Sequence, residues 1–286
     1  TRNVIDEEKM AVVLQEVVGR RYGDHFYPNI SGVGRSLNYY PLDDERAEEG
    51  TVSLALGLGK YIVDGGRTLR VCPAHPARVL QTSDTEMALR ETQTRFCALD
   101  LKNMGENFSV DDGFNLLRLP VKVADADGAL QFIASTFNPT DQVIYPGLYP
   151  GGRKIISFVG VLEHDVVPLP QIMREVLQMG EEAMRRPVEI EFAVEIDAKN
   201  RSCVFYLLQI RPMVDVRTEV NIDLSAIDPA RVLLRSDNAL GHGNFDDLTD
   251  VVYVKTDDYS AGNNPLIAEE IERPNAGFLA EGRHYV

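Results

Sequence analysis

Four residues of one predicted hairpin have the chemistry to hold a metal and a polyphosphate together. In the stretch 188–212, VEIEFAVEIDAKNRSCVFYLLQIRP, two apolar runs of strand character flank a polar turn at Ala198, Lys199 and Asn200. Strand residues i and i+2 share a face. Glu189, Glu191 and Glu195 therefore line one face of the first run, and Val188, Ile190, Phe192, Val194 and Ile196 line the other. On the return run Gln209 and Arg211 share the carboxylate face with Phe205 and Leu207, while Val204, Tyr206, Leu208 and Ile210 match the packed face. A turn centred on Asn200 places Gln209 across from Glu191 and Arg211 across from Glu189, a register that a one-residue slip would undo. Carboxylate and amide oxygens suit Mg²⁺, which usually keeps waters and borrows phosphate oxygens. The guanidinium offers phosphate a fork of donors. The same alternation is also what a half-exposed sheet face displays, with a cross-strand ion pair worth about 0.2–1 kcal/mol.

The elements around this hairpin are legible to different degrees. Residues 169–186 predict a helix: Pro168 and Pro170 stand where proline is tolerated at a helix start, Ile172, Met173, Val176, Leu177, Gly180, Ala183 and Met184 recur at helical spacing, Arg185 and Arg186 fill the last turn, and Pro187 ends it. Residues 10–18, MAVVLQEVV, read as a buried strand, with a short helix as the alternative. The charged run 43–50 reads as a solvated connector. Residues 51–66 read as a strand, a turn at Gly57 and Gly59, and then a helix start or second strand. Ser83 with Glu86 three residues later predicts a helix cap before Met87. LLRLPVKV reads as a strand, GALQFIASTFN as a strand or a helix, and 145–154 as a loop. After Pro212 the texture changes to a short capped segment in DLSAIDPARVL, a strand over 250–256 and a short helix in NNPLIAEEIERP. The boundary of a second unit falls near residue 215.

At 286 residues and 44% hydrophobic, the chain can bury a substantial core. The net charge of −15 argues against nucleic acid as a partner, since that grip needs clustered cations. No apolar run is long enough to span a bilayer, so no membrane association is expected. Cys72, Cys97 and Cys203 form neither a disulfide framework nor a zinc spacing, which fits the reducing cytoplasm. A chain running from Thr1 to Val286 is read as a piece of a longer protein. Other candidates are weaker. His242 between glycines reads as a surface-loop residue, and the five histidines show no metal spacing. Asp125 and Asp127 lack the rest of a calcium loop. Cys72 and His75 lack an orienting group for a nucleophile pair.

The hairpin, helix 169–186 and Pro187 resemble the end of the nucleotide-binding domain of the phosphoenolpyruvate synthase and pyruvate phosphate dikinase family. That domain closes with a helix, a proline, an acidic-Ile-Glu-aromatic strand, a turn and a Leu-Gln-x-Arg strand. Upstream, Ser31-Gly32-Val33, Ser36, Asn38 and Pro41 resemble the family's S-G-V-x-x-S-x-N segment, and SLALGLGKYIVDGG resembles its strand and glycine turn. The resemblance covers about 1–66 and 156–214, leaving about 67–155 as an expected insertion.

The resemblance implies an α+β, ATP-grasp-like subdomain, the C-terminal part of that domain over 1–214, with 215–286 as linker and start of a following small α/β domain. It implies ATP and Mg²⁺ as cofactors. Glu191 and Gln209 match the family's Mg-ATP contacts, Arg211 a phosphate contact, Glu189 a position where relatives more often carry Asp, and Gly57 and Gly59 the glycine turn near the cleft. It implies as partners an N-terminal ATP-grasp subdomain and a phosphohistidine domain, neither visible here, with pyruvate or another small molecule as acceptor. The present chain is expected to be inactive alone. Where the family has glutamates flanking the glycine turn, this sequence has Ser53 and Lys60. That departure keeps open a non-catalytic nucleotide sensor or assembly module, beside a dikinase with a different acceptor.

Overall fold

A computed structural model of the chain describes residues 12–102, 113–164, 166–200, 202–213, 227–234, 248–254 and 264–285. The chain divides into two compact units, Thr1–Val214 and Asp215–Val286. The first is mixed α+β. Its strands are β1 (Arg20–Tyr22), β2 (His25–Tyr27), β3 (Ile30–Arg35), β4 (Thr51–Ala55), β5 (Leu69–Val71), β6 (Arg95–Asp100), β7 (Leu116–Pro120), β8 (Ala134–Asn138), β9 (Val143–Pro146), β10 (Arg153–Ile156), β11 (Val188–Asp197) and β12 (Ser202–Pro212). Its helices are α1 (Lys60–Val63), α2 (Thr85–Glu91), α3 (Val121–Ala126), α4 (Val159–Leu162) and α5 (Leu169–Met184). Three antiparallel sheets result, ordered β12-β11-β3-β4-β5, β1-β2-β6-β7 and β10-β8-β9.

The five-stranded sheet is two-faced because its strands alternate. Ile30, Val52, Leu54, Val188, Ile190, Phe192, Val194 and Ile196 are buried on one side, where α5 docks through Leu169, Met173 and Leu177. Burying each such side chain is worth about 1.5–3 kcal/mol. Gly32 lies on this side beneath the Phe192 ring: a Cβ there would come within 2.2 Å of Phe192 Cζ. Helix α5 stops at Met184, and Arg185 turns left-handed at φ 54°, so Arg185 and Arg186 lie past the last turn rather than in it.

The hairpin follows the expected register only at its open end. Glu189 pairs with Arg211 and Glu191 with Gln209, but the register shifts between Glu191 and Phe192, so that Phe192 faces Leu207 and Val194 faces Phe205. A bulge adds one residue to one strand and reverses which side chains face the core beyond it. Phe205, expected on the carboxylate face, stacks on Phe192 at 5.0 Å, and Val204, expected in the packed face, is 52% exposed.

The stretch 67–155 supplies β5 to the main sheet and pairs β6 with β2. Phe96, Ala98, Val121, Leu130 and Ile133 belong to the same core cluster as Ile30 and Val194. Several local expectations differ from the structure. Residues 12–19 contain no strand, and Val12, Val13 and Leu14 are exposed; 10 and 11 lie outside the described residues. An apolar run becomes a buried strand only where a layer covers it, and the apolar face of the sheet is already taken by α5. The cap of α2 is Asp84, which accepts the Met87 amide at 2.8 Å, rather than Ser83. The connector 43–50 is not wholly solvated. Glu45 is buried and accepts Asn38 Nδ2 and the Leu42 amide, each at 3.0 Å, and Arg70 Nη2 lies 3.8 Å away.

In the second unit Asp228 accepts the Ala230 amide at the head of a short 3₁₀ turn, Pro229–Arg231. The expected strand over 250–256 reduces, among its described residues, to a single bridge between Asp250 and Tyr285. The expected short helix is longer: α6 (Asn264–Glu281) continues past Pro274. Arg283 pairs with Asp250 and lies 4.9 Å over the Phe278 ring. Among the described residues no helix is long and apolar enough to cross a membrane.

Candidate functional site

On the face of the five-stranded sheet opposite α5, antiparallel pairing arranges side chains in transverse rows, two of which are largely polar. One row runs Gln209, Glu191, Val33, Ser53, Arg70 across all five strands. The adjacent row runs Arg211, Glu189, Arg35, Thr51. The sheet order thus gathers residues from five separate stretches of sequence.

Within the second row Glu189 is the hub. Its Oε2 accepts Arg35 Nε at 2.7 Å, and its Oε1 accepts Arg211 Nε at 2.9 Å and Arg211 Nη2. Burial alone would raise the Glu189 carboxyl, but the hydrogen bonds from Arg211 and Arg35 outweigh it and hold the carboxyl below its ordinary range. The same bonds raise the Arg211 guanidinium above its usual value. Both oxygens of Glu189 are engaged, so its chemistry here is to fix two arginines. Glu191 and Gln209 differ. They face each other across the hairpin, and among the described residues neither side chain makes a hydrogen bond or ion pair. Of the acids and amides expected in the site, these two have oxygens to offer. Arg35 was missed by the sequence reading. Its only signal was the period-two relation to Ser31 and Val33, and no local pattern says that its strand lies beside β11.

The Ser-Gly-Val-x-x-Ser-x-Asn block holds this sheet together. Ser31 Oγ donates to the Gly57 carbonyl at 2.6 Å. Ser36 Oγ accepts the Val188 amide at 2.9 Å. Asn38 is fully buried, with its Oδ1 accepting Arg70 Nη2 at 2.6 Å. The two glycines of the turn differ in what demands them. Gly57 has φ 85°, and a Cβ would meet the Cys97 carbonyl oxygen at 2.6 Å; Gly59 has helical φ and nothing nearer than Ser31 Cβ at 3.8 Å. Gly57→Ala is therefore expected to cost about 2 kcal/mol or more, and Gly59→Ala to stay within about 0.5 kcal/mol, as read by urea midpoints. Equal effects would sink the distinction. At the two positions where relatives carry acids, Ser53 sits between Val33 and Arg70, and Lys60 pairs with Asp64 at 2.9 Å.

The weaker candidates resolve as follows. Burial, and then the hydrogen bond that Asp127 accepts from the Tyr27 hydroxyl at 2.6 Å, drive the phenol pKa strongly upward. Cys72 is 1% exposed, and burial pushes its thiol up, although the Ala74 and His75 amides pull the other way. The His75 ring contacts Glu49 at 3.1 Å. A buried, raised thiol is a poor nucleophile. His242 lies outside the described residues.

An antiparallel sheet with one face closed by a helix and the other lined by acid, amide and guanidinium groups is consistent with an ATP-grasp-like nucleotide-binding domain. The protein-family model described as pyruvate phosphate dikinase, AMP/ATP-binding domain, matches residues 2–226, and the chain belongs to that family. It is thus an ATP-binding part of a protein similar to pyruvate phosphate dikinase and phosphoenolpyruvate synthase. Comparison with individually curated proteins finds no match.

Proposed function

We propose that this chain supplies the metal-and-phosphate side of the ATP cleft in a phosphoenolpyruvate-synthase-like phosphotransferase. The observation that carries the reading is the pairing of Glu191 with Gln209, two oxygen donors without a hydrogen bond or ion pair among the described residues, beside an Arg211 already oriented by Glu189. A carboxylate and an amide oxygen are donors of the hard type that Mg²⁺ accepts. Bound there, Mg²⁺ would neutralise phosphate charge. Glu191 and Gln209 would hold it, and Arg211 would present its unspent donors to a phosphate oxygen. Glu189 would keep that guanidinium from swinging away. Gly57 and Gly59 would shape the turn at the cleft edge.

On this reading a second ATP-grasp subdomain closes the cleft and a phosphohistidine domain, in the same or another chain, carries the phosphoryl group to pyruvate or another small acceptor. The exposed Val12, Val13 and Leu14 offer apolar surface of the kind such a subdomain covers. Residues 67–155 would then be an insertion built into the core, 215–286 the linker and start of the next domain, and the cytoplasm the working compartment. Ser53 and the Lys60–Asp64 pair favour a second reading, a nucleotide sensor that binds without transfer. The purified chain is expected to show no ATP turnover above a Glu191→Ala control. Labelled ATP added to the full-length protein separates the two readings. Label on a histidine supports transfer, whereas nucleotide binding without label supports the sensor. Turnover by the present chain alone would overturn the half-cleft proposal.

A further inference from the structure

A second cluster of ligand-type side chains lies at the far edge of the five-stranded sheet. Cys72 follows β5 directly, His75 lies three residues on, and Glu49 ends a 3₁₀ turn, Ala47–Glu49, just before β4. Glu49 Oε2 is 3.1 Å from His75 Nε2 and 3.9 Å from Cys72 Sγ, and the three ligand atoms all lie within 4.8 Å of one another. β11 and β5 are separated by three strand spacings, roughly 14 Å, so this cluster is distinct from the hairpin carrying Glu191.

The geometry points to a zinc site, and we propose that Cys72, His75 and Glu49 bind one Zn²⁺ with a fourth position open to water. Thiolate, imidazole and carboxylate are the three ligand types that Zn²⁺ takes together, and three protein ligands with one open position is a recurrent arrangement. Bonds of about 2.0–2.3 Å in a tetrahedron put ligand atoms roughly 3.3–3.5 Å apart, between the two separations seen here. The surrounding donors are already placed as outer partners of a metal site are. The His75 amide donates to the Cys72 carbonyl at 3.0 Å, which closes the turn that carries both ligands. Arg46 Nε donates to the other Glu49 oxygen, Oε1, at 3.2 Å, and the Arg46 amide donates to Oε2 at 3.0 Å. Cys72 is buried while His75 and Glu49 are partly exposed, which leaves the cluster open to solvent on one side. A metal there would tie the loop after β5 to the turn before β4.

The test uses the untagged full chain, stripped with chelator and titrated with Zn²⁺ and, separately, with Co²⁺ as a spectroscopic probe. One Zn²⁺ per chain is expected, not displaced by excess Mg²⁺. Co²⁺ should give the intense visible bands of a tetrahedral site and a near-ultraviolet thiolate charge-transfer band. Cys72→Ser should abolish the charge-transfer band, and Cys203→Ser should leave it intact. His75→Ala and Glu49→Gln, which keep the thiol, should each weaken Zn²⁺ binding by roughly 10–100-fold or more. These two variants decide the matter if Cys72→Ser does not fold. No uptake by the wild-type chain, an octahedral cobalt spectrum, loss of the band in Cys203→Ser, or undiminished affinity in His75→Ala would each overturn the assignment.

Discussion

Glu191→Gln is expected to weaken Mg²⁺-dependent ATP binding in the full-length protein by at least about tenfold, about 1.4 kcal/mol, while leaving the melting temperature unchanged. The division follows from what Glu191 touches. Among the described residues its carboxylate makes no hydrogen bond or ion pair, only a longer-range attraction to Arg211, so its replacement by an amide of the same shape breaks no bond in the fold. A neutral amide is nonetheless a poor exchange for a carboxylate at a divalent cation, where ligand charge sets much of the affinity. The measurement is calorimetry with and without Mg²⁺ beside thermal melts. If the glutamine variant binds Mg²⁺-ATP as the wild type does, the paired Glu191 and Gln209 are only a sheet edge.

Glu189→Gln is expected to show the opposite pattern, with a loss of stability of about 1–3 kcal/mol. The Glu189 carboxylate accepts from Arg35 Nε and from Arg211 Nε and Nη2, and glutamine leaves one guanidinium facing an NH₂ group. Breaking a fully buried pair costs about 3–5 kcal/mol. The value here falls below that because the Arg35 and Arg211 side chains are 45% and 57% exposed and rehydrate when released. Nucleotide affinity should fall as well, but with Mg²⁺ dependence retained, since Arg211 loses its orientation and the metal donors stay. Denaturant midpoints of Glu189→Gln, Arg211→Ala and the double variant give the coupling energy. A stability change under about 0.3 kcal/mol in Glu189→Gln would show that the clamp contributes nothing.

The sequence alone determined the hairpin's turn, the pairing of Glu189 with Arg211 and of Glu191 with Gln209, and the amphipathic helix before it. Period-two and period-3.6 alternation are local codes, and a turn at Asn200 sets the distance between strands that are neighbours in sequence. The same local code failed at the bulge after Glu191, because an extra residue in one strand leaves no mark in composition. It failed again for residues 12–19, whose apolar run states a demand for burial without stating that a surface exists to meet it. Which strands lie beside which was decided only by tertiary structure. Chain segments of very different length bring β3 between β11 and β4, and no residue pattern encodes that order. From it come the contacts the sequence could not disclose. Arg35 reaches Glu189 across 154 positions, Arg70 reaches Asn38 across 32, and Glu49 meets Cys72 and His75 across the β4–β5 edge. Each depends on side-chain atoms meeting within a few ångströms, a condition set by packing of the whole sheet rather than by spacing along the chain.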